Sequence, residues 1–215
     1  MNCPLCGASE ADHWHHRSGR DYWCCRTCRL VFVPEDQHLS PEREKAEYDK
    51  HDNDVTDTGY RRFLSRTFDA VVRAVAPDAN GLDFGCGPGP ALAMMLEDAG
   101  HPTALYDLYY HPDESVWERR YDFITLTEVI EHLARPDAVL PRLFRHLKPG
   151  GYLVIQTQRV LNPTAFRQWR YIHDPTHIAF YSEYTFQWLA RWLGSDRLEF
   201  PDRDVALLRK PVPAD

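Results

Sequence analysis

Residues 82–89 read LDFGCGPG, and the reading of this stretch decides the fold. A short apolar run carrying one acid, Asp83, gives way to Gly85, Gly87 and Gly89 at alternate positions. Glycine reaches backbone conformations closed to other residues and lets the main chain approach a ligand closely. An apolar strand that turns in this way into a helix, here PALAMMLEDAG (90–100), is how an α/β protein wraps a nucleotide. The identity of that nucleotide is the next question. A dinucleotide fingerprint requires Gly-x-Gly-x-x-Gly, and a phosphate loop ends in Gly-Lys-Ser/Thr. Here the third glycine position is Pro90, and no Gly-Lys pair occurs.

Outward from the glycines, apolar runs alternate with helical periodicity. GLDF (81–84), TALYD (103–107), YDFITLT (121–127) and GGYLVIQT (150–157) read as strands, and RLEF (197–200) and DVALLRK (204–210) as final strands. EVIEHLARPDAVLPRLFRHL (128–147) and SEYTFQWLARWL (182–193) read as helices. Upstream, GYRRFLSRTFDAVVRAV (59–75) places Phe63, Phe68, Val71, Val72 and Val75 at helical spacing. Strands alternating with helices predict a parallel sheet covered on both faces. Asp107 ends the second strand of this series. A carboxylate at the carboxyl edge of a doubly wound sheet accepts hydrogen bonds from ribose hydroxyls.

The chain has 215 residues, 43% of them hydrophobic, enough for one full core and a small appendage. The net charge of −7 argues against a nucleic-acid protein, which carries a basic face. The locally basic runs RRFLSR (61–66) and RPDAVLPRLFRHLK (135–148) read as solvated helix faces. No apolar run approaches the ~20 residues that span a bilayer, and MNCPLCG lacks the pattern of a signal peptide. A cytoplasmic location is expected.

Five of the six cysteines fall within the first 28 residues. Cys3 and Cys6 form one C-x-x-C, Cys25 and Cys28 another, eighteen residues apart, a spacing that supplies four thiolates to a tetrahedral structural zinc. Cys24 is the spare thiol, and His13, His15 and His16 are alternative donors that four cysteines make unnecessary. Four protein ligands close the coordination shell, so this zinc would hold the fold and do no chemistry.

The successive stretches LDFGCGPG, LYD, YDFITLTEVIEHL and LKPGGYLVIQT resemble the motifs of the class I S-adenosylmethionine (SAM)-dependent methyltransferases, over roughly residues 40–200. A cysteine-rich domain before such a core resembles one bacterial branch of that family. The resemblance implies a Rossmann-like, seven-stranded, doubly wound sheet with its last strand antiparallel. The segment between Asp107 and Tyr121 is short for the family's third strand, and Trp117 or a neighbour is the residue left to cover the adenine. Three parts are expected: a zinc-ribbon-like four-cysteine domain (1–34), a linker and N-terminal helical cap (35–80), and a SAM-binding core (81–215) with an aromatic-rich acceptor lid near 160–185. By the same resemblance Gly85, Cys86, Gly87 and Gly89 pass close to the cofactor. Asp83 orients their turn, Asp107 takes the ribose, Thr127 lies under the cofactor, and Tyr48 and Tyr60 close over it.

The run TEVIEHL (127–133) sets Glu128, Glu131 and His132 at i, i+3 and i+4, one face of a helix. Two carboxylates and an imidazole suit a divalent ion, with His177 or His173 as a further ligand. The run resembles the metal-binding motif of ubiquinone-pathway O-methyltransferases and of small-RNA 2′-O-methyltransferases. Without a metal, His132 or His177 is the candidate base and Glu128 a further catalytic candidate, because an imidazole titrates near neutrality. Trp169, Tyr171, Phe180 and Tyr181 are expected to line the acceptor pocket. The function expected is methyl transfer to an oxygen or carbon of a small molecule. The alternatives are an RNA methyltransferase gripping RNA through its zinc domain and a non-catalytic SAM-binding or zinc-dependent interaction module.

Overall fold

A computed structural model describes residues 1–50 and 54–213. The chain opens with the Cys3–Cys6 knuckle and the hairpin of β1 (Ala11–Arg17) and β2 (Arg20–Cys25), then β3 (Val31–Phe32). Ser18 and Gly19, both at positive φ, form the two-residue hairpin turn whose twist matches the flanking strands. Helices α1 (Pro41–Tyr48) and α2 (Thr58–Ala74) lead into β4 (Gly81–Phe84), α3 (Ala91–Asp98), β5 (Thr103–Tyr106), β6 (Tyr121–Thr127), α4 (Pro136–His146) and β7 (Leu147–Gln156). The chain continues through α5 (Pro163–Arg167), β8 (Ala179–Phe180), α6 (Glu183–Leu193), β9 (Arg197–Asp202) and β10 (Val205–Arg209).

The main sheet has the order β5-β4-β6-β7-β10-β9. Its first four strands are parallel, and β10 is antiparallel to both neighbours, as the resemblance implied. The sheet has six strands rather than seven. Where a third strand was expected beyond β5, a 3-10 turn at Glu114–Glu118 takes its place, tucking Val116 into the core. The central strands are apolar on both sides, as a covered parallel sheet requires. Phe123, Val154 and Leu207 pack with α2 and α3, while Ile124, Leu153 and Leu208 pack with α4 and α6. Each such buried side chain contributes about 1.5–3 kcal/mol.

Two helix expectations are corrected. The predicted helix over 128–147 is broken: Glu128 sits at φ +53, Ile130–His132 form one 3-10 turn, and α4 starts at Pro136. Proline disfavours helical geometry at the preceding residue and fits the first turn of a helix, so it begins α4 instead of continuing an earlier helix. In α2 the buried stripe is Leu64, Thr67, Ala70 and Val71. Phe63, Phe68 and Val75 flank it, and Val72 faces solvent at 39% exposure.

The small sheet has the order β1-β2-β3-β8. Its fourth strand comes from residues 179–180, far along the chain, paired Val31 to Phe180 and Phe32 to Ala179. Cys3, Leu5, Cys28, Leu30 and Phe32 share one apolar cluster with α4 and α6. The cysteine-bearing segment is thus packed into the body of the molecule. Among the described residues no helix is long and apolar enough to cross a membrane.

Candidate active site

The carboxyl ends of β4, β5 and β6 open onto a cavity of about 780 Å³, where ligands bind in open α/β sheets. Gly85 and Gly87 form its floor with φ of +77° and +65°. A Cβ on Gly85 would stand 2.4 Å from Val129, so the turn tolerates no side chain there. The Asp107 carboxylate ties this turn to the end of β5. One oxygen accepts the Gly87 N–H at 3.0 Å, and the other accepts those of Tyr109 (2.8 Å) and Tyr110 (3.1 Å).

Cys86, Thr127, Tyr48 and Tyr60 also stand on the wall. Burial pushes the Cys86 thiol up, so it is no thiolate. Thr127 donates to Thr67, which donates in turn to Gln156. Burial pushes the Tyr60 phenol up to about 12. Asp83 and Gly89 are buried and lie off the wall. Asp83 accepts the Thr125 hydroxyl at 2.7 Å, and burial pushes its carboxyl up to about 6. Trp117 does reach the wall, in contact with Tyr106, with the Arg142 guanidinium 3.7 Å over its ring.

The far side of the cavity is assembled from three segments. From the first come His38, Glu44 and Tyr48. Glu44 accepts both the Tyr48 hydroxyl (3.1 Å) and the Tyr109 hydroxyl (2.6 Å), which straps α1 over the opening. From the second come Glu128 and His132, and from the third Asp174, Thr176 and His177. Glu131, His132 and His177 bring one ligand atom each within 4.8 Å of one another. Glu128 stands outside that group, and His173 is exposed. A shared helix face therefore does not bring Glu131 and His132 together with a third ligand; the tertiary approach of residue 177 does.

Both imidazoles are held in one tautomer. His132 Nδ1 faces the Thr176 carbonyl at 3.1 Å, and His177 Nδ1 faces the Tyr171 carbonyl at 2.8 Å. A carbonyl only accepts, so each Nδ1 carries a hydrogen and, in the neutral ring, Nε2 keeps the lone pair; Asp174 Oδ2 stands 3.7 Å from His177 Nε2. Burial holds His177 below the ordinary imidazole range, which keeps that lone pair free at neutral pH. The Tyr171 hydroxyl contacts Glu128 at 2.9 Å and also Glu131. One phenolic hydrogen cannot serve two carboxylates, so one carboxyl must carry its own proton. Burial, with Glu131 beside it, pushes Glu128 up to about 9, so the pair keeps a proton at neutral pH. The second oxygen of Glu131 is buried with no partner among the described residues.

Of the four lid aromatics expected to line the acceptor pocket, none is on the wall. Tyr171, Phe180 and Trp169 pack into the core beneath the small sheet, and Tyr181 into the cluster under α6. The residues between them, Asp174 to Ile178, form the wall instead. Sequence reading also missed His38, Tyr109 and Asp174. They lie in connecting segments, and only the density of polar residues in HDPTH pointed to any of them.

At the other end, the Cys3 and Cys28 sulfurs are 3.5 Å apart, as are those of Cys6 and Cys25, and all four lie within 4.8 Å. Tetrahedral zinc with bonds of about 2.3 Å sets its sulfurs about 3.8 Å apart, so the four thiols fit the ion. The two knuckles are alike: each ends in a left-handed residue, Gly7 at φ +74° and Arg29 at φ +61°. Cys24 points away to the carbonyl of Arg29.

Residues 56–196 match the family model described as the methyltransferase domain. The chain belongs to that family and has the fold of the class I SAM-dependent methyltransferases. The 1,6-didemethyltoxoflavin-N1-methyltransferase of Burkholderia thailandensis, solved with 1,6-didemethyltoxoflavin and S-adenosylhomocysteine, has a TM-score of 0.53 at 18% identity, covering 94% of this chain and 100% of that one. The magnesium protoporphyrin IX methyltransferase of Synechocystis PCC 6803, with bound S-adenosylhomocysteine, has a TM-score of 0.51 at 13% identity, covering 79% and 94%. These share the fold. A ubiquinone biosynthesis O-methyltransferase of Photorhabdus laumondii is 26% identical over 80 residues, 37% of this chain and 33% of the relative. The match thus spans about a third of the curated relative's length.

Proposed function

We propose that this methyltransferase acts on a small-molecule hydroxyl or acidic carbon, with His132 and His177 taking the acceptor's proton. The observation that carries this is the shared tautomer. Two cavity-wall imidazoles have Nδ1 committed to carbonyls, so in the neutral ring each Nε2 is the nitrogen left to take a proton. An acceptor that must lose a proton needs such a base. The short match to an O-methyltransferase of ubiquinone biosynthesis supports oxygen.

SAM supplies a methyl group already activated on a sulfonium, together with its leaving group. What remains for the chain is to bind, align and deprotonate. Gly85, Cys86 and Gly87 would cradle the cofactor, Asp107 would hold the ribose, and Thr127 and Tyr60 would flank it. Trp117 would cover the adenine. Asp83 would act from behind the turn, by holding β4 to Thr125. Tyr48 and α1 would exclude water, and the Glu128–Glu131 pair, holding one proton through Tyr171, would anchor this wall. The four N-terminal cysteines would hold a structural zinc.

A second reading is favoured by the unpartnered buried oxygen of Glu131 and its grouping with His132 and His177. These three would hold a divalent ion, which would supply acidification of the acceptor hydroxyl.

The test is transfer of labelled methyl from SAM to a panel of hydroxylated aromatic acceptors and their amino counterparts. Labelling of the hydroxyl series alone is expected. His177→Ala should lower kcat by about 10²–10⁴-fold, the range of general-base catalysis, with little change in S-adenosylhomocysteine affinity. Labelling of amines, or an unchanged rate in His177→Ala, overturns the proposal. Full activity after chelation, with the cysteine-bound zinc retained, removes the second reading.

A further inference from the structure

The turn from Tyr171 to His177 carries the geometry of both imidazoles. The Tyr171 carbonyl accepts His177 Nδ1–H, and the Thr176 carbonyl accepts His132 Nδ1–H. The two other carbonyls of interest, those of Asp174 and His177, are both taken by one side chain from the opposite end of the sequence. Arg20, the first residue of β2, donates through Nη1 to the Asp174 carbonyl at 2.9 Å and through Nη2 to the His177 carbonyl. The guanidinium is a rigid planar fork, suited to two acceptors at once. Its Nε–H is buried without a partner among the described residues, so this placement is held at some cost. Backbone pairing completes the strap: Val33 N–H donates to the Ile178 carbonyl and Ile178 N–H to the Glu131 carbonyl, each at 2.9 Å.

We propose that Arg20 is a positioning residue for methyl transfer, fixing the 174–177 turn so that its carbonyls hold His132 and His177 with Nε2 free. The N-terminal cysteine module therefore contributes to the acceptor site through a side chain that never touches the acceptor. Without the fork, the His177 carbonyl loses its side-chain donor and the Asp174 carbonyl keeps only the long bond from the His177 N–H at 3.3 Å. The Thr176 carbonyl between them moves with the peptide planes, and the hydrogen bond that fixes the His132 ring goes with it. Lysine is not equivalent, because one ammonium on a flexible stem does not reproduce two fixed donors.

This inference rests on the proposal that both histidines serve the acceptor, but its test does not need an acceptor. Long-range ¹H–¹⁵N spectra of the full-length, S-adenosylhomocysteine-bound protein report which ring nitrogen carries hydrogen. His132→Gln and His177→Gln assign the signals. The wild type should show both rings as the Nδ1–H form alone. Arg20→Ala should lose that single form in both rings, and Arg20→Lys should show mixed tautomers. S-adenosylhomocysteine affinity should stay within about twofold, as expected for sites sharing no partners. A folded Arg20→Ala protein that keeps both rings in the Nδ1–H form overturns the inference. If Arg20→Ala does not fold, Arg20→Lys decides, and unmixed tautomers there overturn it equally. If the tautomers shift as expected while His177→Ala transfers methyl normally, the positioning stands and the acceptor proposal falls.

Discussion

The two halves of the cavity are built in opposite ways. The proposed cofactor half centres on two short stretches, 84–88 and 106–107, with Tyr60, Trp117 and Thr127 beside them; adjacent parallel strands deliver the glycine turn and its anchoring carboxylate to one edge. The proposed acceptor half comes from residues 38–48, 128–135 and 174–178, brought together by the pairing of β3 with β8 and by the bonds of residues 176 and 178 to 131 and 132. One half depends on local sequence, the other on the docking of a distant module. The two should therefore fail separately.

The largest expected effect tests that separation directly. Cys28→Ala should abolish the proposed stoichiometric zinc, measured by elemental analysis. Structural zinc sites carry on the order of 10 kcal/mol of apparent binding free energy, so the small sheet should open. Hydrogen exchange should then lose protection over residues 11–34 and 174–180 together, with 81–107 still protected. Retained protection at 174–180 would break the comparison.

Asp107→Ala should do the reverse. Its carboxylate holds three backbone N–H groups around the glycine turn, and hydrogen bonds to a charged group contribute about 1.5–3 kcal/mol each. Calorimetry should find S-adenosylhomocysteine binding weakened by about 100-fold or more, with the His132 and His177 tautomers unchanged. Equal damage to both halves would show them coupled.

Asp83→Asn sharpens the account of the cofactor half. Burial raises this carboxyl to about 6 in the folded protein, above the ~3.9 of an unfolded chain. The folded state thus holds the proton more tightly. The associated stability is fully present below about pH 4 and is lost as pH rises through about 6, by roughly 3 kcal/mol in all. Urea unfolding of the wild type should show this decline, and Asp83→Asn should flatten it. A slope common to both proteins would locate the titrating group elsewhere.

The smallest effect concerns the cysteine knuckles. Gly7 and Arg29 occupy corresponding left-handed positions, and only the first is a glycine. Arg29→Gly relieves the steric cost of that conformation against the added entropy of an unfolded glycine. A gain of about 0.5–1 kcal/mol in thermal unfolding is expected, with S-adenosylhomocysteine affinity unaltered.

The sequence by itself determined the strands of the main sheet, the glycine turn, Asp107 and the two cysteine pairs. Each of these is a local pattern: a run of apolar residues, a glycine where no Cβ fits, or two thiols on one short loop. It could not show that Glu128 leaves the helix, because a left-handed residue and Pro136 end the periodicity that EVIEH imitates. Nor could it place the lid aromatics, since burial in a core and lining of a pocket require the same residue types. Only the tertiary structure decided that His177 joins Glu131 and His132, and that Arg20 holds their turn across more than 150 positions of chain. The reason is physical. Parallel-strand edges and metal knuckles are specified by neighbours in sequence, whereas a carbonyl's partner is whichever donor the packing brings within about 3 Å.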